Sequence, residues 1–216
     1  KVYGIDNLNS VYDSKLKASR LNELKKYEKF TFNKIDISNK KKLNENFKNN
    51  KYQIVINLAA QAGVRDSIHN PDPYINSNII GFYNILEVSK DFKIQHLLYA
   101  SSSSVYGSQK KFPSKEEFNT DKPLSLYAAT KKTNEILAYS YSHIHKLPTT
   151  GLRFFTVYGP YGRPDMAPLK FTYAITNKKK INLFNKGNHF RDFTFIEDVT
   201  ESILKLINKR KKTLTP

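Results

Sequence analysis

Strand-like and helix-like segments take turns along this chain, and that alternation narrows its fold more than any other feature. Val2–Asp6 reads as the end of a strand, Leu16, Leu21, Leu24 and Tyr27 mark a helix, and residues 30–35 form a short strand closed by Asp36. Residues 38–50 follow as a polar helix that carries Leu43 and Phe47 on one face. Residues 54–58, Ile-Val-Ile-Asn-Leu, make a continuous apolar strand of the kind buried on both faces of a parallel sheet. A helix over 75–88, a strand over 96–100, a long helix over 126–145 and a strand over 149–155 complete the series. Each return to a parallel neighbour needs a crossover, so the pattern predicts an α/β fold, a doubly wound parallel sheet with helices on both faces.

Open sheets of this type bind ligands beyond the carboxyl ends of their strands. The chemistry is therefore expected at Asp6, Asp36, Leu58-Ala59-Ala60, the serine run 101–104 and Phe155-Thr156. After residue 156 the pattern gives way to Gly/Pro-rich loops and short mixed elements. Residues 1–156 are read as the sheet domain and 157–216 as mainly a smaller substrate-covering region, interleaved with the sheet domain rather than joined by a linker.

Composition excludes several classes. At 39% hydrophobic and 13% aromatic residues over 216 positions, the chain can bury a core and is no disordered segment. It contains no Cys, which rules out a disulfide scaffold and any thiolate metal site. No His/Asp/Glu grouping has metal-ligand spacing, so no metal is expected. No apolar run is long enough to span a bilayer and no signal-peptide pattern opens the chain, so the expectation is a cytoplasmic protein with no membrane partner. The net charge is +17, with basic clusters at Lys40-Lys41-Lys42, Lys178-Lys179-Lys180 and Lys209-Arg210-Lys211-Lys212. Lys is spread widely and Asn is abundant, so the excess is read as a solvated surface and no nucleic-acid partner is expected.

The strongest chemical signal is Tyr127-Ala128-Ala129-Thr130-Lys131 with Ser101–Ser104 upstream. Tyr and Lys at i and i+4 share a helix face. An ammonium beside a phenol stabilises phenolate, which makes the tyrosine a usable base. A serine hydroxyl at the end of the preceding strand can share the same substrate oxygen. Together the three groups can take a proton from a sugar hydroxyl while hydride leaves its carbon.

With these residues in place the chain resembles the extended short-chain dehydrogenase/reductases, in particular the NAD-dependent nucleotide-sugar epimerases. It is most like the UDP-glucuronate 4-epimerase group. The match is carried by Gly4-Ile5-Asp6-Asn7-Leu8-Asn9, by residues 57–65 (Asn-Leu-Ala-Ala-Gln-Ala-Gly-Val-Arg) and by residues 99–107 (Tyr-Ala-Ser-Ser-Ser-Ser-Val-Tyr-Gly). It continues through residues 125–131, Leu152 to Pro160, Gly162 to Ala167 and Arg191-Asp192-Phe193-Thr194. The resemblance implies a Rossmann-type sheet, NAD as cofactor and a UDP-sugar as substrate. It makes Tyr127 the base, gives Lys131 the tuning of that base and the nicotinamide ribose, and gives the shared substrate hydroxyl to Ser102, with its serine neighbours as rivals. For the cofactor it points to Asp6, Asn7, Asp36, Ile37, Leu58, Ala59, Ala60, Ser77 and Phe155 besides Tyr127 and Lys131. Asp6 can bind both adenosine ribose hydroxyls and repel a 2′-phosphate, which favours NAD over NADP, or it can serve as a turn or cap. Ser77 and Asn78 either reach the cofactor or join helix to helix. For the substrate it points to Arg65, Ser103, Ser104, Thr156, Arg163 and Arg191. Arg191 either grips the diphosphate or pairs with Asp192. Helices 74–90 and 126–145 resemble the four-helix contact of a homodimer.

One family feature is missing. The Gly-x-x-Gly-x-x-Gly phosphate loop belongs upstream of Asp6 and no glycines of this chain form it. The expectation is a fragment of a longer protein, lacking the first strand and more of the substrate region after Pro216. The rival is a truncated, non-catalytic copy. Within the enzyme class the rival to epimerisation is a dehydratase or decarboxylase. Those enzymes place an acidic residue before Val-Tyr-Gly, where this chain has Ser103-Ser104.

Overall fold

A computed structural model describes residues 1–188 and 190–208. The basic run 209–212 and the last four residues lie outside the described residues. The protein is α/β, with parallel pairing throughout its larger sheet. Two compact units divide it. One comprises Tyr3–Asn7 and Phe32–Phe154, the other Lys1–Val2, Leu8–Thr31 and Phe155–Asn208.

The first unit is built on three parallel strands, β3 (Ile54–Asn57), β4 (His96–Ala100) and β5 (Thr149–Leu152), in that order. It also holds most of β1 (Val2–Asp6) and β2 (Phe30–Lys34), which pair separately. The bonds Val2 N–H to Lys29 O and Ile35 N–H to Asp6 O advance together along both strands, so β1 and β2 are parallel as well. β4 is the inner strand of its sheet, and His96, Leu97, Leu98 and Tyr99 are all buried. Leu97 and Tyr99 face a core made with Leu43 and Phe47 of α2 (Lys40–Asn49) and with Phe82 and Leu86 of α5 (Gly81–Asp91). The pairing of Leu43 with Phe47, expected from their spacing, is realised at 0% and 3% exposure. Ahead of α5 come α3 (Asp66–His69), α4 (Asp72–Tyr74) and a π-helical turn, Ile75–Ile80. α6 spans Leu126–His145, starting at the Ser125 cap and stopping where Lys146 turns left-handed.

Three expectations change. β3 was read as buried on both faces, yet among the described residues it pairs only with β4, and Ile56 is 39% exposed. The strand read as 149–155 ends at Leu152, because Phe154 N–H turns back to the Leu152 carbonyl at 3.0 Å. Tyr27 lies outside α1 (Ser14–Lys25), a helix that buries no residue.

The second unit carries α1 and a short parallel pair, β6 (Thr156–Tyr158) with β7 (Phe193–Phe195), Thr156 opposite Phe193. Tyr158 packs edge-on against Phe193 at 6.2 Å between ring centroids. α7 (Ala167–Thr176) and α8 (Ile196–Asn208) complete it, α8 opening with Glu197 and Asp198 where the helix dipole favours negative charge. Among the described residues no helix is long and apolar enough to cross a membrane.

Since Leu97 is fully buried on the inner strand, Leu97→Ala removes core volume that its neighbours cannot refill. It is expected to lower the unfolding free energy by about 2–5 kcal/mol, read by urea denaturation.

Candidate active site

The N-terminus of α6 is anchored twice. Ser125 Oγ accepts from the Ala128 N–H at 3.1 Å, and Ser67 Oγ, in α3, accepts from the Tyr127 N–H at 3.2 Å. Tyr127 is half-buried and meets the Tyr74 ring edge-on at 6.3 Å. The Tyr74 hydroxyl in turn donates to the Gly63 carbonyl at 2.7 Å. One helical turn beyond Tyr127, Lys131 Nζ lies 5.9 Å from the tyrosine ring centroid. Lys131 is 2% exposed, and its amine donates to the Ala100 carbonyl at 2.9 Å. Burial pulls the amine down from its usual 10.5 to about 8.

Lys131 therefore reaches the end of β4, where the serine run begins, and there the four serines part company. Ser101 is turned away: its hydroxyl donates to Glu135 Oε1 at 2.6 Å. Ser102 caps a short 3-10 turn, Ser103–Tyr106. Its Oγ accepts from the Ser104 N–H at 3.2 Å and donates to Ser104 Oγ at 3.0 Å. Ser103 uses its N–H on the Phe154 carbonyl at 2.9 Å. Gly107 closes the turn at φ 61°, where any Cβ would run into the Lys122 carbonyl, so only glycine fits.

At the other strand ends, Asp36 accepts from Asn7 Nδ2 at 2.8 Å and from the Ser38 N–H and hydroxyl at 2.9 and 2.7 Å. Burial alone would raise its pKa, but the bonds from Asn7 and Ser38 outweigh that and hold the carboxyl below its ordinary value. Asp6 is exposed at the end of β1. Ile37 turns its side chain into the core, against Gly81. Leu58 and Ala59 are exposed just past β3, and Ala60 is half-buried. Ser77 is half-buried in the π-helical turn, while Asn78 is fully engaged: its amide brackets Gln61, accepting from Gln61 N–H at 2.8 Å and donating to Gln61 O at 3.0 Å. Arg65 is exposed at the start of α3. A dinucleotide fits this set: a carboxylate kept ionised, a second carboxylate on the neighbouring strand, small side chains with open backbone beyond β3, and an amine beside the tyrosine.

The remaining candidates belong to the second unit. Thr156 opens β6 with its N–H on the Asp192 carbonyl at 3.2 Å, and Phe155 is 39% exposed. Arg163 forks onto Asp165, with Nε to Oδ1 at 3.0 Å and Nη2 to Oδ2 at 2.5 Å. Arg191 donates to the Phe190 carbonyl at 2.8 Å. Among the described residues no group of three His, Asp or Glu is arranged to hold a metal ion.

Spacing reasoning passed over Glu135, Arg153, Ser67 and the Asn78 bracket. Glu135 was within reach of that reasoning, since Tyr127, Lys131 and Glu135 continue one i, i+4 series along α6. The others depend on contacts far apart in sequence.

Residues 1–216 match the NAD dependent epimerase/dehydratase family. The chain belongs to that family. Protein CapI of Staphylococcus aureus is 56% identical over 208 residues, covering 96% of this chain and 62% of that protein. The UDP-glucuronate 4-epimerase of Thermodesulfobacterium geofontis is 48% identical over 203 residues, covering 94% of this chain and 62% of that one. Among solved structures, the UDP-glucuronic acid 4-epimerase of Bacillus cereus in complex with UDP-glucuronic acid and NAD superposes with a TM-score of 0.89. It is 33% identical, and the match covers 97% of this chain and 66% of that chain. This epimerase/dehydratase chain thus spans about six-tenths of the length of such curated relatives.

Lys131 makes the site's electrostatics measurable. Its folded pKa, about 8, lies below the usual 10.5, so between those values the unfolded chain binds more protons. Stability therefore rises with pH across that window, and below pH 8 the whole cost of burying the ammonium is present. Lys131→Met is expected to raise the unfolding free energy at pH 7 by about 2–3 kcal/mol. The gain should vanish toward pH 10.5 in a series of urea titrations.

Proposed function

We propose that the full-length protein epimerises carbon 4 of a UDP-sugar, converting UDP-glucuronate to UDP-galacturonate through a transient 4-keto sugar. The observation that carries this reading is the Tyr127–Lys131 pair on α6, with Lys131 joined to the Ala100 carbonyl beside the serine run. Tyr127, as phenolate, takes the proton of the 4-hydroxyl, and Ser102 donates a hydrogen bond to the same oxygen. Lys131 in its ammonium form steadies the phenolate and reaches the nicotinamide ribose. NAD, when bound, supplies the chemistry of a hydride acceptor that becomes a hydride donor. After the keto sugar has turned over, Tyr127 returns the proton. Asp6, Asn7, Asp36, the backbone of residues 58–60, Ser77 and Phe155 hold the cofactor, with Asp6 selecting NAD over NADP.

Residues 157–216 are assigned mainly to the substrate. Arg191 takes the diphosphate; Arg163 takes the sugar carboxylate, which replaces Asp165 on its guanidinium. Arg65, Ser103, Ser104 and Thr156 are assigned to the sugar as well. Ser103 and Ser104 are poor acids near neutral pH, which disfavours the elimination that a dehydratase performs. A homodimer is proposed through helices 74–90 and 126–145. Tyr83, Ile136 and Tyr139, at 37%, 57% and 57% exposure, supply apolar surface for it.

The test is product analysis of the full-length protein with NAD and each UDP-sugar. UDP-galacturonate is the product expected from UDP-glucuronate; release of carbon dioxide or a 4-keto-6-deoxy sugar would reject epimerisation. Tyr127→Phe should keep the fold and lower kcat at least about 100-fold, since it deletes one proton transfer. Arg163→Leu should raise KM for UDP-glucuronate more than for UDP-glucose; an equal effect on both sugars removes Arg163 from the carboxylate.

A further inference from the structure

Beyond Lys131 the same face of α6 continues to Glu135, and there the helix meets the serine run a second time. Lys131 holds the Ala100 carbonyl and Glu135 holds the Ser101 hydroxyl, so successive turns of the helix grip successive residues of the chain leaving β4. Glu135 is itself fixed. Arg153, just past β5, sets its fork on the carboxylate, Nε to Oε1 and Nη2 to Oε2 each at 2.9 Å. The third guanidinium nitrogen donates to the Glu116 carbonyl at 3.0 Å, and the guanidinium stacks over Tyr106, 5.0 Å from the ring centroid. Tyr106 ends the 3-10 turn that Ser102 begins. The two ends of that turn are thereby tied to one ion pair: Ser101, before it, through Glu135, and Tyr106 through Arg153.

Both partners are largely enclosed, with side chains 15% and 20% exposed. Burial would raise the Glu135 pKa, but the bonds from Arg153 and Ser101 keep the carboxylate ionised. A charge pair placed here, among hydrogen bonds that saturate it, fixes direction in a way that apolar packing cannot.

We propose that Glu135, locked by Arg153, is a positioning residue that fixes the 101–107 turn so that the Ser102 hydroxyl is presented beside Tyr127. The proposal deepens the active-site reading above and rests on it for the role of Ser102. It touches neither substrate nor cofactor.

The test uses the full-length protein and Glu135→Gln, which keeps an oxygen for Ser101 but removes the charge that holds Arg153. Amide hydrogen exchange over 101–107 is expected to quicken about tenfold or more, while β4 and α5 keep their protection. Unchanged exchange in the turn overturns the proposal; so does a loss spread evenly over β4, α5 and the turn, the mark of a merely structural pair. Should Glu135→Gln fail to fold, Ser101→Ala leaves the ion pair intact, cuts its link to the turn, and is read in the same way. A double-mutant cycle supplies the second readout. Glu135→Gln should lower kcat about tenfold in the wild-type background and less than about twofold in Ser102→Ala, because the hydroxyl it positions is gone. Equal factors in both backgrounds overturn the proposal. If the wild-type protein converts no UDP-sugar, it is the proposed reaction that fails, and hydrogen exchange still decides whether Glu135 holds the turn.

Discussion

A lysine amine can stay inside this protein because the Ala100 carbonyl is free to receive it at the end of β4. That one hydrogen bond fixes the face of α6 that meets the sheet, and so where Tyr127 stands. It depends on strand register. Ala100 pairs with Leu152 and Tyr99 with Gly151, and a slip of one residue would turn Tyr99 out of the core and a different carbonyl toward the helix. Gly151 guards that register. The Tyr99 hydroxyl occupies the space a Cβ on residue 151 would need, 2.6 Å away, so Tyr99 lies flat across its neighbour only while a glycine sits opposite. The cost of burying the amine thus falls on a strand already secured by packing on Leu97 and Phe82.

The parts of the fold that follow from local chemistry could be read from the residues. α6 runs over the residues its pattern indicated because Ser125 caps it, and α2 buries the two apolar side chains that its spacing set together. Other features follow from pairing that no local pattern encodes. The apolar run at 54–58 has the composition of a doubly buried strand, but exposure depends on which strands flank it, and among the described residues β3 has one neighbour. The strand at 149–155 carries apolar residues to Phe155, yet it stops where the chain hands over from one compact unit to the other.

The candidate residues divide along the same line. Tyr127 and Lys131 were legible because a helix converts a four-residue spacing into a shared face. Four serines in a row offered no such filter. The Glu135 carboxylate, on a helix distant in sequence, engages Ser101, while Ser102 turns its hydroxyl to Ser104. Likewise the Arg163 side chain reads as a free cation until Asp165 is seen on its fork.

Asn78 shows why polar groups are kept in the middle of this unit at 1% exposure. Its amide bonds to both the N–H and the C=O of Gln61, as a neighbouring strand would, and so extends the order of β3 into the loop beyond it. The same amide also donates to Thr130 Oγ1 at 3.0 Å, on the turn of α6 that carries Lys131. Asn134, oriented so that both ends of its amide are satisfied, donates to the Asn78 carbonyl at 2.8 Å. An apolar side chain at 78 could fill this space, but it would leave Gln61 N–H and C=O buried without partners, a cost of about 1–3 kcal/mol for each group. It would also let the loop after β3 move independently of the helix that carries Tyr127. Saturated hydrogen bonds here couple the backbone assigned to the cofactor with the side chains assigned to proton transfer, and the π-helical turn at Ile75–Ile80 is the irregular stretch of helix in which Asn78 makes those bonds.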